Sequence, residues 1–260
     1  MKTVLSIIGI LNLALLLQAQ TAQEIANAAA TAAYYKGDDG RAQVSMSIVD
    51  QRGRERSRAF TILRRNSGEA LEGQQFYVLF NQPADIADTA FLVEKHVDKD
   101  DDRWLYLPAL DLVRRIASSD ERTSFVGSHF FYEDVSGRSP TEDTHELLET
   151  SDLYYVLKSV PKEPADVEFA YFKSWIHKAS SIPIKTEYTN SKGEISRTYE
   201  ALKVENIDGI PTVVQSKMTD SVRGGSTTLT YSTVQYNNGL KSSIFSERSL
   251  RNPPTSYLQF

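Results

Sequence analysis

Four glycines divide the second half of the chain at nearly even intervals, and this spacing limits the possible folds more than any other feature. They stand about 15 residues apart, each in a turn-like setting, at Gly193, Gly209, Gly224 and Gly239. Segments with strand-forming patterns lie between these turns, at 184–189, 212–218 and 227–235. Strands joined by short glycine-containing turns are typical of antiparallel hairpins. We therefore predict an antiparallel meander and not an alternation of helices and strands.

The first half of the chain carries the same pattern after residue 40. Val44, Met46 and Ile48 alternate with polar neighbours, which is the period of a half-buried strand. Further strands are predicted at 59–64, 75–80, 89–94, 103–107 and 111–116. Long strands with one polar and one apolar, aromatic face are expected to curve into a barrel or half-barrel. No linker interrupts the pattern, so residues 21–260 are predicted to form a single domain.

Two segments depart from the strand pattern. Thr21 and Glu24 form a capping box before the alanine-rich stretch 25–35, which predicts a helix that ends at Gly37 and covers the apolar face. Strand periodicity is also lost from Ala117 to about Thr150. A second capping box, Ser139 to Glu142 with proline at the first helical position, predicts a short helix over 140–148.

The N-terminus has the order of parts of a secretory signal peptide. Lys2 precedes an apolar stretch over 4–17, and small and polar residues follow it. This stretch is shorter than the roughly 20 apolar residues of a membrane span. Residues 1–20 are therefore predicted to be a signal peptide that is cleaved near residues 19–22. The mature chain is expected outside the cytoplasm and without stable membrane insertion.

Composition excludes several classes of protein. The chain has no cysteine, which rules out disulfides, thiolate catalysis and cysteine-bound zinc. Its net charge is −5 and no basic cluster occurs, so nucleic acid is not an expected partner. Asp98, Asp100 and Asp102 have the spacing of a calcium loop, but Arg103 stands where such a loop needs glycine. No metal ion or other cofactor is predicted.

No arrangement of residues predicts catalysis. The nearest approach to a nucleophile turn, at Gly127 and Ser128, lacks the second glycine of that motif. Glu133 and Asp134 are adjacent, so on a strand their side chains would point to opposite faces. The residues alone leave two interpretations of the apolar face open, a cavity for apolar ligands or a filled core.

A block of motifs resembles the outer-membrane lipoprotein-sorting protein family, the LolA-like group. The block comprises Arg103-Trp-Leu-Tyr-Leu-Pro108, then Arg114-Arg115-Ile116, Ser124-Phe-Val-Gly127-Ser128, and Tyr132-Glu133-Asp134. Its motif residues are Arg103, Pro108, Arg115, Ser124, Gly127, Ser128, Glu133 and Asp134. His129 departs from the family pattern, in which an acidic residue is expected after Gly-Ser.

The resemblance implies a mainly β fold, an unclosed antiparallel barrel or half-barrel whose N-terminal and short internal helices cover the concave face. It further implies a periplasmic carrier of a lipid or an acylated lipoprotein, with an RND-type inner-membrane transporter as a partner. On this hypothesis, acyl chains enter an apolar face, and an aromatic loop gates it. The predicted ligand-binding residues are Val44, Met46, Phe60, Ile62, Trp104, Tyr106, Phe125, Phe130 and Tyr132.

Other functions stay open at this point. The chain could be an envelope sensor that binds lipid or lipoprotein and regulates a membrane protein. It could be a scaffold with a filled core, in which Trp104, Tyr106 and the segment 124–134 serve packing and hydrogen bonding. An enzyme acting on lipid or glycan would require turnover that depends on Ser128 or Glu133.

Overall fold

A computed structural model describes residues 20–69, 71–96 and 99–260. Residues 1–19 of the predicted signal peptide lie outside these residues. The strands are β1 (Asp39–Asp50), β2 (Glu55–Asn66), β3 (Gln74–Gln82), β4 (Ala90–Lys95), β5 (Asp102–Leu107), β6 (Leu112–Ile116), β7 (Asp143–Thr150), β8 (Tyr154–Pro161), β9 (Tyr171–His177), β10 (Pro183–Thr189), β11 (Ile195–Ile207), β12 (Ile210–Asp220) and β13 (Gly225–Tyr236). The α-helices are α1 (Ala22–Ala30), α2 (Tyr132–Ser136), α3 (Glu247–Arg251) and α4 (Thr255–Leu258). No helix of the described ranges has the length and apolar character needed to cross a membrane.

All thirteen strands belong to one antiparallel sheet, which is not closed. Its order is β6-β5-β4-β3-β2-β1-β13-β12-β11-β10-β9-β8-β7. The first half of the chain builds the sheet outward from β1 to the β6 edge. The chain then crosses to the opposite edge, and β7 to β13 return to the middle, where β13 pairs with β1. This confirms the predicted meander and half-barrel.

The crossing between the two edges explains why strand periodicity is lost after residue 116. We call residues 117–142 the covering segment. It contains α2 and several 3₁₀ turns, and it inserts Phe125, Phe130 and Tyr132 among residues of the first strands. A segment that lies across a sheet instead of in it needs no alternation of apolar and polar residues.

The N-terminal helix forms as predicted. The Glu24 amide donates to Thr21 Oγ1 at 3.2 Å, and the Thr21 amide donates to Glu24 Oε2 at 2.8 Å, so the capping box is present. After α1 the helix continues as one π-helical turn, Thr31–Tyr35. Ile25, Ala26 and Ala29 pack against β8 and β9. Small alanine side chains allow this close approach of helix and sheet.

The predicted helix over 140–148 is wrong. The capping box at Ser139 forms, but it begins a single 3₁₀ turn, Pro140–Glu142, and the chain then enters β7. β7 pairs with β8 along its length, from Asp143 opposite Pro161 to Thr150 opposite Tyr155. Sheet hydrogen bonds therefore override the helix propensity of the Glu-Leu-Leu-Glu sequence.

The prediction of one polar face is also wrong for the first strands. In β3, all five residues from Phe76 to Phe80 are buried, so neither face of that strand meets water. The chain after β13 covers the convex face there, through Leu240, Ile244, Phe245 and Leu250. We call residues 237–260 the C-terminal segment. The sheet is thus covered on both sides at β2 to β5.

Candidate functional site

The concave face is lined by alternate residues of the strands. Val44, Met46 and Ile48 of β1 point to this face because residues i and i+2 of a strand share one side. Phe60 of β2 and Leu229 of β13 join them in one apolar cluster. The serines between the β1 positions point the other way, so the predicted alternation of β1 is confirmed.

Phe125 is the centre of the contact between the covering segment and the sheet. Its ring centroid lies 5.7 Å from that of Phe80, 5.4 Å from that of Phe91 and 5.6 Å from that of Tyr132. The Phe125 side chain is only 1% exposed. This end of the concave face is therefore a filled aromatic core.

Beside this core, the concave face borders a partly open cavity of about 220 Å³. Its roof is formed by the π-helical turn and the covering segment, at Ala32, Ala33, Tyr34, Phe125, Phe130, Asp134 and Val135. Its floor is formed by the strands, mainly at Ala42, Met46, Phe60, Ile62, Arg64, Phe76, Tyr199, Val213, Leu229, Tyr231, Val234 and Tyr236. Such a lining, apolar with a few polar groups, is characteristic of small-molecule sites.

Five of the nine predicted ligand-binding residues line this cavity, namely Met46, Phe60, Ile62, Phe125 and Phe130. Val44 and Tyr132 lie in the adjoining core and do not reach the cavity wall. Their role in ligand binding stays a prediction, because packing alone accounts for where they lie.

Trp104 and Tyr106 are not brought to the cavity. They lie on the convex side, where they pack with Tyr77, Leu79 and the C-terminal segment. Leu105, between them, and Leu107 are the β5 residues that pack with the concave cluster. The alternation was correctly predicted, but the face was wrong, because an apolar convex side was not expected.

Sequence reasoning missed the tyrosines of the cavity, among them Tyr34, Tyr199 and Tyr231. Burial raises the pKa of Tyr231 to about 12, and it raises the pKa values of Tyr34 and Tyr199 as well. Their phenols are therefore neutral at pH 7 and supply hydroxyl groups without charge. The period-2 positions Leu229 and Tyr231 of the predicted strand 227–235 could have identified one of the three.

A more open concavity of about 370 Å³ adjoins the cavity and shares Ile182 and Pro211 with it. His177, Ile184 and Val204 also border it. The apolar surface thus continues from the interior toward the outer ends of β10 to β12.

Buried ion pairs hold the covering segment in place. The Glu133 carboxylate accepts from Arg122 and, at 3.0 Å, from Arg138. Burial alone would raise the pKa of Glu133, but these two guanidinium groups outweigh it and lower the pKa. Asp134 pairs with Arg197 of β11, which is 2% exposed and stacks on the Phe131 ring at 3.6 Å.

Comparison with known proteins places the chain in a family. A family model described as an uncharacterized protein matches residues 72–252. A DUF1329 family protein from Desulfovibrio piger is 27% identical, with a TM-score of 0.80 over 88% of this chain and 97% of that one. An outer-membrane lipoprotein-sorting protein domain from Vibrio parahaemolyticus is also 27% identical, with a TM-score of 0.80 over 88% and 98%. The chain belongs to the LolA-like family.

A LolA superfamily protein from Nitrosomonas europaea shares the fold, at 21% identity and a TM-score of 0.68 over 88% of this chain and 99% of that one. No curated protein matches the chain. The resemblance on which the expected fold rested is thereby confirmed.

The motif residues of this LolA-like chain mostly form ion pairs and hydrogen bonds with other residues of the chain and, apart from Asp134, do not line the cavity. Arg103, 2% exposed, pairs with Asp101 at 2.8 Å and with Glu121 of the covering segment. Ser124 Oγ donates to the Ser128 carbonyl oxygen at 2.6 Å, which closes the turn before Phe130.

The remaining motif residues lie at turns and on the surface. Gly127 adopts a φ of +76°, a conformation that favours glycine in this turn. Pro108 begins a 3₁₀ turn between β5 and β6, and Arg115 pairs with Asp102 at the surface. The arrangement supports the interpretation of this block as a fixed corner.

Proposed function

We propose that this LolA-like protein is a periplasmic carrier that binds an acyl chain of a lipid or lipoprotein in the cavity and moves it between membranes. The observation that carries the proposal is the apolar cavity between the half-barrel and the segments that cover it. Burial of each methylene group of an acyl chain contributes about 0.8 kcal/mol, so an apolar cavity of this kind supplies affinity without catalytic groups. The lipoprotein-sorting description of the Vibrio relative supports the same assignment.

The cavity can be tested by filling it. Ala42 lines the cavity and is 5% exposed, whereas Ser45 of the same strand is exposed on the other face. In delipidated protein, we expect Ala42→Phe to weaken binding of a fluorescent fatty acid at least about tenfold, through loss of one or two buried methylene groups. Ser45→Phe is the matched control and should bind as the unchanged protein does.

If the unchanged protein binds the fatty acid and Ala42→Phe binds it equally well, the ligand must bind outside this cavity. No binding at all, with a fatty-acid-binding protein as the positive reference, would favour the scaffold. Carrier activity itself requires a second assay, transfer of a fluorescent lipid from donor to acceptor vesicles, which should accelerate in proportion to protein concentration.

The proposal includes an RND-type inner-membrane transporter as the partner that delivers or receives the cargo. This part is supported by the family resemblance alone. Crosslinking in intact cells followed by identification of the captured membrane protein tests it. Capture of an anti-sigma factor in place of a transporter would support the envelope sensor.

A further inference from the structure

Arg41 and Arg64 both border the otherwise mostly apolar cavity. The Arg41 guanidinium already donates to the Gln235 side chain and, in the C-terminal segment, to the carbonyl oxygens of Tyr257 and Gln259. Phe60, Ile62 and Arg64 occupy successive concave positions of β2, so the apolar floor ends at a guanidinium group. The third charged side chain that reaches the cavity, Asp134 of the covering segment, is already paired with Arg197. The charges of Arg64 and Asp134 therefore differ in whether the protein neutralises them.

Neutral groups fix the Arg64 guanidinium in place. Nη1 donates to Asn66 Oδ1 at 2.8 Å, and Nη2 donates to the carbonyl oxygens of Lys36 and, at 3.4 Å, Gly37. Among the residues that the structure describes, no carboxylate lies within salt-bridge distance of Arg64, and its Nε has no hydrogen-bond partner. The side chain is thus held in position with donor capacity left over.

The missing side chain at Gly40 leaves a small space beside Arg64 in the cavity wall. A Cβ atom at Gly40 would lie 3.5 Å from Arg64 Nη2 and 3.4 Å from Tyr236 Cδ1, and glycine leaves that volume empty. The Tyr236 hydroxyl and Thr212 Oγ1 lie 2.9 Å apart in the same wall. This end of the cavity therefore combines a cation with hydroxyl groups.

Asp38 and Asp39 are the acidic groups that act on Arg64 from nearby. Asp39 turns its carboxylate to the amides of Asn238 and Leu240, each at 2.6 Å. Burial lowers the pKa of Arg64, but a guanidinium stays protonated in proteins. Arg64 is half-buried, and a partly desolvated cation without a paired anion carries a cost that a ligand bringing the anion would reduce.

We propose that Arg64 binds the anionic head group of the cargo, a carboxylate or a phosphate, while the apolar part of the same molecule lies in the cavity. The inference rests on the proposed function and narrows it to acidic amphiphiles. Guanidinium groups suit both head groups because their donors form a planar fork.

Three probes with the same sixteen-carbon chain test the proposal, namely palmitate, hexadecyl phosphate and hexadecanol. We expect the unchanged protein to bind at least one anionic probe about tenfold more tightly than the alcohol, the effect of one charge-assisted hydrogen bond. The stronger of the two anionic probes then indicates a carboxylate or a phosphate head group. This comparison needs no variant and is independent of any folding defect.

Arg64→Gln should remove the preference by weakening the anionic probe about tenfold, while the affinity for hexadecanol stays the same. The matched control is Arg65→Gln, because Arg65 lies on the opposite face of β2 and its guanidinium reaches Gln75. Equal affinity of the unchanged protein for all three probes, lost together in Ala42→Phe, would overturn the role of Arg64 and leave the carrier standing. Failure of every probe to bind would overturn both proposals.

Discussion

At the scale of single residues, one buried and one half-buried carboxylate of the covering segment show how ion pairing decides whether a carboxyl group is ionised. Glu133 lies between two guanidinium groups, and their attraction outweighs burial. Glu121 has one, that of Arg103, and burial dominates, so the pKa of Glu121 is raised to about 7. The segment is therefore held by one firmly ionised anchor and by one that titrates near neutral pH.

Glu121 should make the stability of the protein depend on pH. Its pKa is about 7 in the folded protein and 4.5 ordinarily, so the folded state binds the extra proton between these values. Stability from this group is present below pH 4.5 and is lost as pH rises through 7, by about 3 kcal/mol. Urea denaturation at pH 5.5, 7 and 8.5 measures the effect. The unfolding free energy of Glu121→Gln, relative to that of the unchanged protein, should increase as pH rises. Glu146→Gln, at an exposed position of β7, should show no such trend.

At the scale of elements, sequence reasoning identified the aromatic residues of the covering segment but not its secondary structure or its ion pairs. The aromatic residues Phe125, Phe130 and Tyr132 were correctly expected to meet the apolar face. Neither α2 nor the ion pairs of Glu133 and Asp134 were predicted. Arg122 and Arg138 come from irregular parts of the same segment, and Arg197 comes from the distant strand β11. Contacts between distant elements produce no periodic pattern in a sequence, whereas strands produce an alternation of apolar and polar residues.

Substitutions in the covering segment should separate core from cavity wall. We expect Phe125→Ala to cost about 3–5 kcal/mol of unfolding free energy, since its ring is in contact with several others. Both rings border the cavity, but Phe130 has no such ring partners among the described residues. Phe130→Ala should therefore cost less stability, while it still lowers fatty-acid affinity. Urea denaturation and a binding titration measure the two effects. Equal losses of stability would mean that the segment is core throughout and not a gate.

At the scale of the whole molecule, one sheet separates two apolar compartments. The concave one contains the cavity, and the convex one is closed by the C-terminal segment. The sequence contained a signal for the second compartment, since the unbroken run from Phe76 to Phe80 is typical of a strand buried on both faces. What covers it could not be predicted, because α3 and α4 have only five and four residues and are too short to show a period.

The two compartments should respond independently to substitution. Leu250 of α3 is fully buried on the convex side, so Leu250→Ala should cost about 2–5 kcal/mol of unfolding free energy. Its affinity for fatty acid should match that of the unchanged protein, because the sheet lies between this residue and the cavity. A weakened affinity in the folded variant would show that the two faces are coupled.

The free edges β6 and β7 give the sheet a mechanical property that a closed ring of strands lacks. In a ring, strand number and stagger together fix the circumference, so the lumen has one size. Here the hydrogen-bonded ladder simply stops at each edge. Small changes of twist between neighbouring strands can accumulate over the sheet. They can move the two edges apart without breaking an inter-strand hydrogen bond. We therefore expect the width of the concave face to be adjustable, in contrast to the fixed lumen of a closed barrel.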